Sequence, residues 1–289
     1  MGGYGWGEVQ EQELFDAVNA AVDNGINFFD TADTYGLGKS EENLSRALGT
    51  KRKDVIIASK FSVRVENGKT FYDNSPEWME KALLGSLKRL NTDYIDLYQI
   101  HYLDGCTPVA DVVEALEKMK KKGYIRYYGL CNIHSDNYSQ LKPFAGKFVT
   151  VQNEYSLACR KNEADFFKIA NELQVTPTTW GSLGQGILTG KYDRNSVFNS
   201  NDRRSRDIYV NFHGEKLLKN LEIVDCMRTV AENHGVSVAA VAVRFILDYL
   251  QDSVVLVGAK RPSQILGNIE AMDWKLTNDE IEKLKIVSQ

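Results

Sequence analysis

Short β-branched runs alternate with longer amphipathic segments along most of the chain. The runs with strand character are Asn27–Asp30, Val55–Lys60, Ile95–His101, Ile125–Leu130, Val149–Asn153, Thr176–Trp180 and Val254–Gly258. Within them, Val55–Ala58 (VIIA) and Val254–Val257 (VVLV) are apolar without alternation, the pattern of strands covered on both faces. Helical periodicity runs through Gln12–Asn24, Ser40–Leu48, Ser75–Leu90, Val109–Lys122, Glu163–Leu173, Glu215–Asn233 and Val238–Leu250. Ser75-Pro76-Glu77 supplies an N-cap residue and a proline at the first helical position, while Gly25 and Gly123 close the helices that precede Asn27 and Ile125. This alternation predicts parallel strands joined by helical crossovers, hence an α/β fold. A closed barrel and an open doubly wound sheet both satisfy it. No repeat, low-complexity tract or Pro/Gly linker divides residues 1–289, so one domain is expected. The least regular stretch, Tyr192–His213, is polar and rich in Asn, Asp and Arg, and is expected to be a functional or mobile loop.

Composition narrows the class. Hydrophobic residues at 43% and charged residues at 26% fit a soluble globular protein. A net charge of −4 argues against a dedicated nucleic-acid binder, yet leaves room for a local basic pocket. The four cysteines, Cys106, Cys131, Cys159 and Cys226, form no C-x-x-C pair and no zinc-ligand spacing, so no metal is expected and reduced thiols in the cytoplasm are. The start, MGGYGWGEVQ, has no basic region leading into an apolar stretch, and no apolar run approaches the ~20 residues of a membrane span. No membrane partner is expected.

Candidate chemistry gathers where strands end. Phe28-Phe29-Asp30-Thr31-Ala32-Asp33-Thr34-Tyr35-Gly36 puts a carboxylate at one strand end and a tyrosine five residues on; Lys60 ends the next strand and His101 the one after. In parallel α/β folds those ends open onto the active-site face. Taken singly, Asp30 reads as a turn cap, Lys60 as a solvated charge, Tyr35 as a half-buried aromatic and His101 as a core histidine. Together, at successive strand ends, they read as a proton-transfer site. A free tyrosine has a pKa near 10 and is a poor acid at neutral pH; an adjacent ammonium stabilises the phenolate and eases proton donation. Asp30 would hold Lys60, and His101 would donate a hydrogen bond to a carbonyl oxygen as negative charge develops on it.

These segments also carry a resemblance. FFDTADTYG, IIASK and LYQIH resemble the motifs of the aldo-keto reductases, a family of (β/α)₈ barrels whose Asp-Tyr-Lys-His tetrad falls on Asp30, Tyr35, Lys60 and His101. The likeness continues through Gly129–Asn132, Val151–Tyr155, Ser182–Lys191 and Val257–Lys260, with Gln264 to Asn268 at its end, so it spans about Trp6 to the C-terminus in the expected order. It implies an α/β (β/α)₈ TIM barrel and reduction of an aldehyde, ketone or keto sugar with hydride from NADPH, Tyr35 acting as general acid. Seven strand candidates are visible where the barrel needs eight, so the first barrel strand is expected to be missing or shortened at the N-terminus.

Neither a G-x-G-x-x-G fingerprint nor a P-loop is present; in Gly181-Ser182-Leu183-Gly184-Gln185-Gly186 the glycines fall in the wrong order. The resemblance instead implies NADPH/NADP+ extended across the barrel mouth. Cys131, Asn132 and Gln152 would meet the nicotinamide carboxamide, with Cys131 standing where serine is commoner and so lacking a good hydroxyl donor. Trp180, where relatives usually carry tyrosine, would stack on the ring, with Gly181, Leu183, Gly186 and Lys191 following along the cofactor. Gly258 would let backbone approach a phosphate; Lys260, Gln264 and Asn268 fall on one cofactor-facing side of the segment after the last strand, and Lys260 stands where relatives place a basic residue against the 2′-phosphate, which favours NADPH over NADH. The loop around Arg203 and Arg204 would close over the pyrophosphate. Specificity is expected from the loops Arg64–Asn74, Leu103–Thr107 and Tyr192–His213; Tyr4 and Trp6 would either line the pocket of the small-molecule carbonyl substrate, alongside Tyr35 and His101, or pack against the first helix, and Asn67, Asp73 and Asn74 favour a polar substrate such as a keto sugar. The alternative is an NADPH-binding regulatory subunit resembling channel β subunits, which share the fold and the tetrad.

Overall fold

Parallel pairing follows from the alternation, because each helix returns the chain to the end at which the previous strand began. The computed structural model describes residues 5–7 and 9–289. Its strands are β1 (Phe28–Asp30), β2 (Ile56–Phe61), β3 (Val63–Glu66), β4 (Lys69–Tyr72), β5 (Ile95–Ile100), β6 (Ile125–Cys131), β7 (Thr150–Glu154), β8 (Thr176–Trp180) and β9 (Val254–Val255). Its helices are α1 (Glu11–Asp23), α2 (Lys39–Leu48), α3 (Pro76–Leu90), α4 (Val109–Lys121), α5 (Glu163–Leu173), α6 (Gly214–His234), α7 (Val238–Tyr249), α8 (Pro262–Ile269) and α9 (Asn278–Val287). All strands except β3 and β4 form one seven-stranded parallel sheet in the order β1-β2-β5-β6-β7-β8-β9. This is an α/β fold of the TIM type, its sheet curled with helices packed against it.

Among the described residues, no strand pairs with the outer edge of β1 or of β9. The helices nevertheless meet outside that opening. Helix α8 packs against α1, and α1 against α2. Arg261, at the start of α8, reaches Glu13 of α1 at 3.1 Å. The layer of helices is therefore continuous where the sheet is not.

Several local expectations need correction. Arg64–Asn74 is not a plain loop, since β3 and β4 form an antiparallel hairpin across most of it. The Val254–Gly258 strand shrinks to two paired residues, and Val254 to Val257 are half-buried instead of covered on both faces. They sit at the unpaired sheet edge, which explains the exposure. Ile56 of the VIIA run is exposed as well, at 40%. Helices α8 and α9 were not marked by apolar periodicity; α9 instead owes its start to a capping box between Thr277 and Glu280. The Ser75 N-cap is as expected, accepting a hydrogen bond from the Trp78 amide, and Pro76 opens α3. Tyr192–His213 contains only short 3₁₀ turns.

The centre of the sheet explains how the site is held. All six residues of β5 are buried. Gly129 of β6 is required by packing: a Cβ there would lie 2.2 Å from Thr150 Oγ1 and 3.3 Å from Leu97 Cδ1. Adjacent strands can therefore approach closely beneath the polar residues Lys60, Gln99, Gln152 and Asn153, all essentially inaccessible. No single helix among the described residues is long and apolar enough to cross a membrane.

Candidate active site

The chain leaves β1 at Asp30 and turns sharply into α2. Gly36, Leu37 and Gly38 all have positive φ, and a Cβ at Gly38 would lie 2.6 Å from Arg89 Cδ. That compact turn carries Tyr35. Parallel register sets Asp30 beside Ala58, and Lys60 beside Gln99. Lys60 therefore extends from within β2 toward the end of β1.

Lys60 is completely buried and donates to Asp30 Oδ1 at 2.6 Å and to the Thr31 carbonyl at 2.8 Å. It also hydrogen bonds the Tyr35 phenol, and its Nζ lies 5.1 Å from the centre of the Tyr35 ring. Asp30 Oδ2 accepts from Gln152 Nε2 at 2.8 Å and from Gln99 Nε2 at 3.4 Å. The imidazole of His101 lies 6.1 Å from the Tyr35 ring, centre to centre, and stacks on Tyr102 at 4.9 Å. Asp30, Tyr35, Lys60 and His101 thus come together at one end of the sheet.

Burial and charge act in opposite directions on these groups. Burial alone would lower the Lys60 pKa, but Asp30, then Tyr35 and Cys131, raise it above its ordinary value. The ammonium stays charged. Burial pushes the Tyr35 phenol above its usual pKa and outweighs the opposing pull of Lys60. The easing of proton donation expected from the adjacent ammonium is thus offset by burial. Burial, then the Lys60 charge, lower His101 to about 3, so its ring is neutral. His101 Nδ1 is buried without a hydrogen-bond partner.

The residues expected around the nicotinamide form one network. Asn132, with a left-handed backbone at φ 56° just past β6, donates to the His101 carbonyl at 3.0 Å and accepts from the Trp180 indole at 3.1 Å. It fixes two neighbours of the site at once. Cys131 is buried beside Gln152 Oε1, at 3.6 Å, and burial pushes its thiol up to about 12. It is therefore a neutral, weak hydrogen-bonding group in place of a hydroxyl. Gln152 spends an amide donor on Asp30, a link that sequence reading missed, as it did the role of Gln99; long-range pairing leaves no local signal.

The phosphate-binding candidates converge at the mouth. Lys260 Nζ and Arg204 both donate to the Trp6 carbonyl, Arg204 at 3.3 Å. Trp6 also forms a bridge to Asp202 and packs its ring edge-on against Tyr209 at 5.2 Å. Tyr4 lies outside the described residues. Burial, followed by the charge of Arg204, lowers the Lys260 pKa, with Lys191 and Arg261 adding to the repulsion; only Asp202 opposes it. Gln264 accepts from the Lys260 amide at 2.7 Å. Asn268 is buried, and its Nδ2 lacks a partner. Crowded cations with a neighbouring orphaned amide donor fit a phosphorylated nucleotide. Gly181 and Gly186 have positive φ, and a Cβ at Gly186 would lie 3.5 Å from the Tyr192 ring; Leu183 is partly buried beside them. Gly258 has open space around its Cβ direction, with no crowding from the described residues. Among the described residues, no cluster of His, Cys, Asp or Glu is arranged to hold a metal ion.

Comparison with known proteins agrees with this architecture. A model of the aldo/keto reductase family matches residues 1–289. The chain is 32% identical to the aldo-keto reductase YhdN of Bacillus subtilis, with 99% of this chain and 87% of that protein covered. It is 31% identical to the aldo-keto reductase yakc [NADP(+)] of Schizosaccharomyces pombe, over 97% of this chain and 84% of that one. Among solved structures, the glycerol dehydrogenase of Gluconobacter oxydans superposes with a TM-score of 0.88 at 33% identity, covering 99% and 88% of the two chains. A probable voltage-gated potassium channel subunit beta from Oryza sativa (30%) and an NADH-specific methylglyoxal reductase from Escherichia coli (26%) are also similar. The chain belongs to the aldo/keto reductase family.

Proposed function

We propose that this protein is an NADPH-dependent reductase of small aldehydes, ketones or keto sugars, with Tyr35 as general acid. The observation carrying this reading is a fully buried ammonium, Lys60, shared between the Asp30 carboxylate and the Tyr35 phenol, with a neutral His101 alongside. NAD(P)-dependent carbonyl reduction is the chemistry of the family. When bound, the nicotinamide supplies hydride to the carbonyl carbon.

The protein's own groups act on the carbonyl oxygen. His101, uncharged, donates a hydrogen bond that orients the oxygen and stabilises its growing negative charge. Tyr35 delivers its proton to the same oxygen as that charge develops, and Lys60 stabilises the phenolate left behind. Asp30 keeps Lys60 charged and in place, with its second oxygen held by Gln152 and Gln99. Trp180, Cys131, Asn132 and Gln152 would hold the nicotinamide, with Gly181, Leu183, Gly186 and Lys191 along the cofactor. Gly258, Lys260, Gln264 and Asn268 would hold the adenosine phosphate end. The cation cluster at Lys260 supports NADPH over NADH, as does the NADP(+) in the name of the S. pombe relative. Tyr35→Phe tests the acid: carbonyl reduction should fall by about 10²-fold or more while cofactor affinity persists. Turnover undiminished in that variant would remove Tyr35 from the mechanism.

A second reading, a cofactor-binding regulatory subunit, is favoured by the similarity to the rice channel subunit. Cofactor binding without turnover of any aldehyde, ketone or keto-sugar panel member would select it.

A further inference from the structure

We propose that a second cavity, separate from the cofactor and carbonyl sites, binds a small oxyanion carrying two or more negative charges. The cavity, of about 660 Å³, lies between the turn after β7, the 3₁₀ segment after β8, the loop before α6 and the end of α9. That volume falls within the range of small-molecule sites, about 300–1,000 Å³. None of the tetrad and none of the residues expected to hold NADPH lines it, although Ile208, Tyr209, Val210 and Asn211 come from the Tyr192–His213 stretch expected to set substrate specificity. Gln185 does, so the cavity adjoins the segment from which Gly181, Leu183, Gly186 and Lys191 are expected to meet the cofactor.

Its charge is one-sided. Lys161, Lys216 and Lys219 line it, and none forms an ion pair within 4.0 Å among the described residues, although Lys161 acts on Glu154 from farther off. Arg160 lines it too, but is bound to Glu163 at 2.7 Å, and Glu163 further accepts from Tyr155 and Tyr249. That carboxylate is fully engaged by its own partners. The remaining acid, Glu154, is raised in pKa by burial and held against Gln185 Nε2 at 3.3 Å. A hydrogen bond from Cys159 and the charge of Lys161 act on the same carboxyl, so Glu154 too has partners of its own. Burial and repulsion from Lys219 lower the Lys216 pKa, the condition of a cation lacking its counter-charge. Lys216 and Lys219, three positions apart near the start of α6, share one face of that helix. Asn211, held against Gln185 at 2.8 Å, and Tyr209 complete a polar wall.

Lys216 and Lys219, with Lys161 from a different segment, suit a phosphate monoester or a polycarboxylate, which share multiple negatively charged oxygens. Titration calorimetry of the cofactor-saturated protein with inorganic phosphate and, separately, with citrate tests this. Saturation with cofactor removes the competing site at Lys260, and the two probes distinguish phosphate from carboxylate recognition. Saturable binding of at least one probe is expected, weakened about tenfold or more in Lys216→Glu/Lys219→Glu and retained in Lys216→Arg/Lys219→Arg. If the charge-reversed protein does not fold, Lys161→Glu gives the same readout from a different element. No saturable binding of either probe, or binding undiminished by charge reversal, would overturn the proposal. If the protein takes up no nicotinamide cofactor, the titration is run on Lys260→Glu, where anion binding that persists still supports the second site.

Discussion

Asp33 shows how one residue in a legible motif can carry an illegible property. It lies two positions before Tyr35, with Oδ1 buried and unpartnered, and its pKa rises to about 7 through burial and then the nearby Glu41, against the opposing charges of Arg89 and Lys60. Glu41 is itself fully buried, bonded to Ser59 and Arg89 at 2.6 Å each. A carboxyl whose folded pKa is raised binds its proton more tightly when folded, so stability falls as pH rises from about 4 to about 7 and then levels. His101 acts oppositely: its lowered pKa costs stability as pH falls from about 6.5 towards 3. The two overlap, so a single substitution is needed to separate them. Relative to the parent, Asp33→Asn should gain stability steadily across pH 4–7 in urea unfolding; a constant difference across that range would refute the assignment. With His101 neutral above about 3, the rate of carbonyl reduction should also show no histidine limb between about pH 5 and 8.

At the scale of elements, strand order places residues that sequence distance separates. Gln152 and Asp30 meet because β7 and β1 face a common interior, across 122 positions of chain. The close approach of β5, β6 and β7 depends on Gly129. Gly129→Ala should destabilise the protein by about 1–3 kcal/mol, because its Cβ would collide with Thr150 Oγ1, and adding Thr150→Ala should recover part of that loss. Chemical denaturation of the single and double variants checks the coupling, and strict additivity would show that the contact does not matter. The tetrad was legible because Asp30, Lys60 and His101 fall at or beside the ends of successive strands, with Tyr35 in the turn after the first. The β3–β4 hairpin was not, since Val63–Glu66 and Lys69–Tyr72 are short and largely exposed, offering little apolar pattern to read.

For the whole molecule, no strand among the described residues pairs with the outer edge of β1 or of β9, and this leaves an opening in the ring of strands. The helices bridge it through α8 and α1, and residues 5–7 tie the loop before α6 to Lys260. Cofactor bound across that mouth would link the same parts. A saturating cofactor at about 100 times its Kd should stabilise the protein by about 2.7 kcal/mol, seen as a single upward-shifted melt if residues 1–289 unfold as one unit. Two separated transitions would contradict the single-domain reading.

From sequence alone came the α/β alternation, the count of seven principal strands, and the acid, phenol, amine and imidazole at successive strand ends, because periodicity and residue order are local. Only the tertiary structure decided the electrical state of those groups: a charged Lys60, a neutral His101 and a phenol that burial holds above its ordinary pKa. It alone showed Asp30 gripped by Gln99 and Gln152, and Lys260 crowded by other cations around the Trp6 carbonyl. The physical reason is that residue type sets what a side chain can do, whereas burial and the charges brought beside it by distant chain segments set which form it takes.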